Sequence, residues 1–370
     1  MKIYRFQFLV VALASLAISI SAQTPTPKPT PIPTPDDEII KIDSRLIMVP
    51  VSVTDANGLA VTGLTAQDFK IAEEGRPQVV ENVGTADKVP LDIALLFDIS
   101  ATTSPMFKFQ QETAAKFLQD VMRNEDRASI FTIGKKPTMI SPRDTSANSI
   151  AALRSIIPTK EYTAFYDSVS AAADYLKANS PEGTRRVVVV ISDGEDTNSD
   201  RIAKAIQDGY RRIGQRINTI DSKELYRLTV VSRNEASVKE RRRVLQLLQN
   251  GDATFYSINP AGSSYQLNKM SVFGQENMQA FAGDTGGTAF LPKFQPIDTK
   301  DTYQNENNAR TNTVALDRIF RQITNELRSQ YLVQFYSEAD FPADKYVKLE
   351  VAVPNRASAK VRSRLGYYAK

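Results

Sequence analysis

The chain has no cysteine, no histidine and no tryptophan. Without thiols there are no disulfide staples, no thiolate nucleophile and no zinc site of the Cys/His kind. Without imidazole the commonest general base is missing. Any metal held by these side chains must be a hard cation bound through oxygen. Long apolar runs are scarce as well. Residues 1–22, MKIYRFQFLVVALASLAISISA, open with Lys2 and Arg5, run apolar from Phe8 to Ile20 and end in Ser21 and Ala22. That run is short for a spanning helix and has the layout of a secretory signal, with cleavage expected before Gln23. No membrane span is expected afterwards, and no cysteine follows to carry a lipid. Cleavage removes Lys2 and Arg5 from a net charge of +4, so the remaining charge gives no argument for nucleic acid as a partner.

A length of 370 residues suggests two folded units. Residues 23–38 form a Pro/Thr-rich linker, in which TPTPKPTPIPTP places proline at alternate positions and leaves an extended polyproline-like spacer. Residues 39–88 read as short strands: RLIMVPVSVTD alternates apolar and polar, and DFKIAEEGRPQVVENV reads as a hairpin about Glu74 to Pro77. Residues 330–370 give three more alternating strands, SQYLVQFYS, KYVKLEVAVP and KVRSRLGYY. Neither end has enough strands for a two-layer core; together they reach the six or seven of a small β-sandwich.

The segment between them, 89–329, behaves differently. Apolar strands such as LDIALLF, ASIFTIG, RRVVVVISD and DATFYSIN alternate with amphipathic stretches such as FKFQQETAAKFLQDVM and ALDRIFRQITNELRSQ. Strands buried on both faces and alternating with helices specify a mainly parallel, doubly wound, Rossmann-like α/β sheet. The expected fold is that sheet inserted into the terminal sandwich. Two polar insertions, 216–237 and 259–275, are left without an assigned structure, and the basic run KERRR beginning at Lys239 reads as a solvated helix face.

In an open parallel sheet, ligands bind beyond the carboxyl ends of the strands. LDIALLF ends in Asp98, with Ser100 and Thr102 following at two-residue spacing; VVVVI ends in Ser192, Asp193, Gly194, Glu195 and Asp196. Thr163 stands at the mouth of the helix beginning TAFYDSV. If the two strands are neighbours, Asp98, Ser100, Thr102, Thr163 and Asp193 supply two carboxylates and three hydroxyls to one crevice. Such a set suits Mg2+, with Mn2+ or Ca2+ as alternatives. Five donors leave such a cation an open coordination position, so a partner's acidic side chain can complete its coordination. Glu195, Asp196 and Asp200 read as caps of the following helix, and Phe165 and Tyr166 as core.

The pattern Asp98-x-Ser100-x-Thr102, Thr163, and Asp193 within SDGED resembles the metal-ion-dependent adhesion site of von Willebrand factor A domains. Thr102 stands where serine is usual, and Ala101 where glycine is frequent. The flanks VSVTDANGLAVTGLTAQDFKIAEEG and ITNELRSQYLVQFYS resemble those of the related proteins abundant in secreted sets of acidobacteria, and MQAFAGDTGGTAFLP resembles the closing helix and strand of such domains. The resemblance implies a Rossmann-like fold, cation-dependent binding of a protein or surface polymer, and no catalysis. Two rivals stand beside it. One is a structural envelope module with a vestigial metal site. The other is a magnesium-dependent phosphotransferase, which would need an acid two residues after Asp98, where Ser100 stands.

Overall fold

The computed structural model of the chain describes residues 45–56, 58–100, 107–159, 161–214, 219–260, 269–297 and 299–369. The expected signal and linker, and Thr102, lie outside the described residues.

Alternation builds the first strand, β1 (Arg45–Thr54), in which Ile47, Val49, Val51 and Val53 are buried while Leu46 and Met48 face out. A hairpin follows, β2 (Lys70–Glu73) and β3 (Arg76–Gln78), turned by Glu74 and Gly75, both at positive φ. That turn geometry matches the twist of paired strands. After β4 (Asn82–Thr85) come β5 (Leu91–Asp98), α1 (Phe107–Val121), β6 (Arg127–Ile133), β7 (Thr138–Asp144), α2 (Ser146–Arg154), α3 (Phe165–Asn179) and β8 (Arg185–Ile191). The path continues through α4 (Asp200–Ile213), α5 (Ser222–Asn250), β9 (Ala253–Ile258), α6 (Lys269–Thr285), β10 (Ala289–Phe290) and α7 (Thr302–Ser329). It ends in β11 (Tyr331–Ser337), β12 (Tyr346–Ala352), β13 (Lys360–Ser363) and β14 (Gly366–Tyr368).

The middle of the chain is an α/β domain on a six-stranded sheet ordered β10-β9-β8-β5-β6-β7, parallel throughout except at the β6–β7 edge. Every residue of β5 is buried, as a strand covered on both faces requires. On one face Leu91, Ile93, Leu95 and Phe97 pack with residues of α1 and α7, where Phe117 stacks on Phe320 with ring centroids 4.6 Å apart. On the other, Ala94 and Leu96 join Val188 and Val190 against α3, α5 and α6.

The two ends of the chain make extra antiparallel sheets, β13-β1-β11-β4 and β14-β12-β2-β3. One apolar core lies between them, with Val49, Val333 and Phe335 from the first sheet and Ile71, Val347 and Leu349 from the second. Its charged member is Glu73, which accepts hydrogen bonds from the Ser337 hydroxyl at 2.9 Å and the Tyr367 hydroxyl at 2.6 Å.

Three segments depart from the expectation. Most of 216–237 is helix: α5 begins at Ser222 and runs unbroken through the basic run. Its first half lies on α4, where Gly209 lets the helices close; a Cβ there would stand 2.9 Å from the Ser232 hydroxyl oxygen. The 259–275 segment similarly passes into α6 from Lys269. Nor is the basic run a wholly solvated face. Glu240 is buried and pairs with Arg243 at 2.8 Å and Arg201 at 3.4 Å, and Arg243 reaches the Ser170 hydroxyl on α3 at 3.0 Å. Finally, α7 starts at Thr302, well before the apolar pattern at Ala315. Asp301 caps it by accepting from the Gln304 N–H at 3.0 Å, and the buried Asn312 amide pairs with the Gln295 backbone at 2.7 and 2.8 Å.

Candidate metal centre

β5 leads through α1 to β6 on one side of it, and the chain later returns as β8 on the other. This reversal of order opens a crevice beyond the carboxyl ends of β5 and β8. Phe97 pairs with Ile191 across the two strands, so Asp98 and Ser192 are the next residues out on neighbouring strands, and Asp193 follows directly.

Asp98 is fully buried. One carboxylate oxygen accepts the Ser100 N–H at 2.8 Å, and the other accepts the Ser192 hydroxyl at 2.5 Å. The Ser192 oxygen in turn accepts the Gly194 N–H at 3.0 Å. Asp193, nearly buried, accepts the Glu195 N–H at 3.0 Å. Each aspartate thus holds the backbone two residues on, the local bond that favours Asp at tight turns. Gly194, at φ +75°, supplies the left-handed residue that the second turn needs.

Thr163 is buried and comes to the same crevice through its backbone. Its N–H donates to the Thr197 hydroxyl at 2.9 Å, and its carbonyl accepts the N–H groups of Thr197 at 2.9 Å and Asn198 at 3.0 Å. The loop before α3 is therefore zipped to the loop after β8. Asp196 reinforces the join: it accepts the Tyr166 N–H at 2.9 Å in the first turn of α3 and the Ser199 N–H at 3.0 Å at the N-cap of α4. Burial pushes it up to about 6. Behind Asp193, Glu195 accepts the Ser271 hydroxyl of α6, and the Asn277 amide reaches the Tyr166 hydroxyl at 2.5 Å.

The electrostatics follow from this packing. Burial, and next the Asp193 carboxylate, push Asp98 up to about 7, against the opposing hydrogen bonds from Ser192 and Ser100. Glu195 is raised by burial and, more weakly, by Asp193, while Ser271 opposes. Two like charges converge at a desolvated spot, which is the environment a cation relieves. No cluster of three or more His, Cys, Asp or Glu side chains suited to a metal occurs among the described residues; the oxygens that could serve one here are the carboxylates of Asp98 and Asp193 and the Ser100 hydroxyl beside Asp98, while the contacts of Thr163 run through its backbone. These are hard oxygen donors and fit a small divalent cation.

Sequence reasoning missed Ser192 and Thr197. Both carry hydroxyls, but neither falls in the spacing that drew attention to Asp98, Ser100 and Thr102. Their roles depend on which strand lies beside which.

Fold and site together define a doubly wound α/β domain with two buried aspartates at its switch point. Residues 93–195, which run from β5 to the loop carrying Asp193, match the family model of the von Willebrand factor type A domain. No curated protein sequence matches the chain. Among solved structures, the PilB minor pilin from Streptococcus sanguinis is similar at 13% identity and TM-score 0.42, covering 66% of this chain and 63% of its own. Proximal thread matrix protein 1 from the mussel byssus, whose MIDAS motif is occupied by zinc in one structure, is similar at 12% identity and TM-score 0.40, covering 68% of this chain and 49% of its own. An aerotolerance-related membrane protein from Bacteroides fragilis is similar at 14% identity and TM-score 0.33, covering 62% of this chain and 99% of its own.

Proposed function

We propose that this chain is an exported protein-interaction module that binds a divalent cation through Asp98, Ser100, Thr102, Thr163 and Asp193 and uses it to grip an acidic side chain. The observation that carries the reading is the meeting of Asp98 and Asp193 at the ends of adjacent parallel strands, buried and electrostatically coupled. Bound there, the cation supplies a Lewis acid shared between this chain and its partner. The chain's own residues do the rest. Ser192 and the Ser100 N–H orient the Asp98 carboxylate, and the Glu195 N–H orients that of Asp193. The Thr163–Thr197 zip holds the third wall in place. Five oxygen donors leave one position of a near-octahedral cation open, and a carboxylate from a protein or surface polymer is the ligand proposed for it.

Binding rather than bond-breaking is the work proposed. Ser100 occupies the position where a phosphotransferase of this strand-end type needs its acid, and an ordinary hydroxyl does not serve as one. Export is supported by the signal-like residues 1–22. No helix among the described residues is long and apolar enough to cross a membrane.

Titration calorimetry with Mg2+ and Mn2+ tests the site. Saturable heat is expected for the native chain and none for Asp193→Ala, with a stability gain of roughly 2.7 kcal/mol at ~100 times the dissociation constant. Equal heats and equal melting temperatures for the two proteins would end the proposal. Capture of partners from an envelope fraction, with and without chelator, then tests the grip itself.

A further inference from the structure

A second site lies far along the strands from the crevice, where the α/β domain meets the outer face of β1. A cavity of about 320 Å3 opens there between the amino ends of β8 and β9, the start of β1, and the short link between β13 and β14. That volume is at the lower end of small-molecule pockets, which favour such junctions between folded units.

Its walls divide by chemistry. Leu46, Met48 and Val187 make an apolar side, with Leu46 and Met48 substantially exposed at 49% and 40%. Charge is unbalanced, since Arg45, Arg185, Arg186 and Arg364 line the cavity against the carboxylates of Glu182 and Asp252. Two of these arginines are more than nine-tenths buried, Arg185 at 8% and Arg364 at 7% exposure. Arg364 spends its Nη groups on Asp252 at 2.8 Å and the Met48 carbonyl at 2.7 Å. Arg186 gives one Nη to the Gly251 carbonyl at 2.9 Å, and Arg185 gives its own to the Leu327 carbonyl and the Gln330 amide oxygen. The Nε–H of all three is buried with no acceptor among the described residues. These three nitrogens are closed to contact by a water-sized group, so what the cavity offers an anion is the surplus of guanidinium charge in its lining.

We propose that this cavity binds a small organic anion with an apolar body, a carboxylate on an aliphatic stem. The head lies toward Arg186 and Arg364, and the stem runs along Leu46, Met48 and Val187. A guanidinium fork matches a carboxylate in shape as well as charge, and the exposed methionine and leucine give the stem a surface to leave water for. Such a ligand bridges β1 of the sandwich to β8 of the α/β domain. This inference is independent of the metal site.

Octanoate is the probe, with octanol as its uncharged counterpart, measured by calorimetry on the purified full chain in chelator. One saturable octanoate site is expected, with binding at least tenfold weaker for octanol, for Arg186→Gln and for Met48→Glu. The last variant changes an exposed side chain and should keep the native circular dichroism spectrum. Absence of saturable octanoate binding, octanol binding as tightly, or octanoate binding unchanged in both variants would each overturn the assignment.

Discussion

Ser192 shows how one hydroxyl sets the state of a buried charge. It donates to Asp98 and accepts from Gly194, so Ser192→Ala takes one hydrogen bond away from a desolvated carboxylate. A loss of about 1–3 kcal/mol is expected in denaturant titrations without metal. The pH dependence carries the same signature. Asp98, normally near 3.8, is pushed up to about 7 in the folded chain, so the native state binds more protons than the unfolded one between those values. Its contribution is complete below the unfolded value and is lost as pH rises through the folded one. Asp196, pushed up to about 6, acts in the same direction. In chelator, the melting temperature should therefore fall from about pH 4 to about pH 7. Asp98→Asn should flatten most of that slope, and saturating Mg2+ should flatten it as well because the cation favours the ionised carboxylate. An unchanged slope in Asp98→Asn would show that another group governs it. At this scale the sequence was partly legible. Asp98, Ser100 and Asp193 stood out only as a joint pattern, since a single carboxylate ending an apolar run has an equal use as a helix cap or loop residue. Ser192, Thr197 and the second bond of Asp196, back to the Tyr166 N–H, did not, since their partners are fixed by strand order and not by spacing.

Helix α6 is the element that presses on the metal loop. A Cβ on Gly274 would stand 2.6 Å from the Gly194 carbonyl carbon and 2.8 Å from the Asp193 carbonyl oxygen, both backbone atoms that cannot swing aside. Gly274→Ala should cost about 1–3 kcal/mol and weaken Mg2+ binding by displacing the Asp193 turn. Gly283 on the same helix meets nothing within 4 Å, and Gly283→Ala should be stabilising by about 0.5–1 kcal/mol with metal affinity unchanged. Calorimetry and melting of the two variants separate the loop's position from the helix's own stability. The sequence showed which segments were strands because β5, β8 and β9 are mostly apolar, whereas the first half of α5 and the start of α7 gave little periodic signal. Their stability comes from partners: a neighbouring helix admitted by Gly209 in one case, and backbone bonds to the Asn312 amide in the other.

The whole molecule is interlocked through its ends. β11 lies between β1 and β4, and β12 lies between β2 and β14, so each terminal sheet is assembled from both halves of the terminal sequence. Even the buried Glu73 takes both hydroxyl partners from the far end. A chain stopped at Ser329 should lack any two-sheet core and expose the apolar face of β1. Dye binding and size-exclusion behaviour should report this, with near-native behaviour counting against the sandwich as an obligate union of the termini. The insertion was legible in the sequence because strand-rich ends flank a helix-rich middle; the pairing of particular strands was not, because alternation names a buried face without naming its neighbour.

This arrangement has a consequence for synthesis. The two ladder partners of β1, β11 and β13, begin at Tyr331 and Lys360, so a nascent chain carries an unsatisfied strand through nearly the whole of its elongation. The interior domain can close first from contiguous sequence, while β1 waits for β11 and β13, two of the last four strands. Contacts of such long span are slow to form and prone to wrong pairing, so the emerging amino-terminal segment is the place where a holding chaperone would be needed.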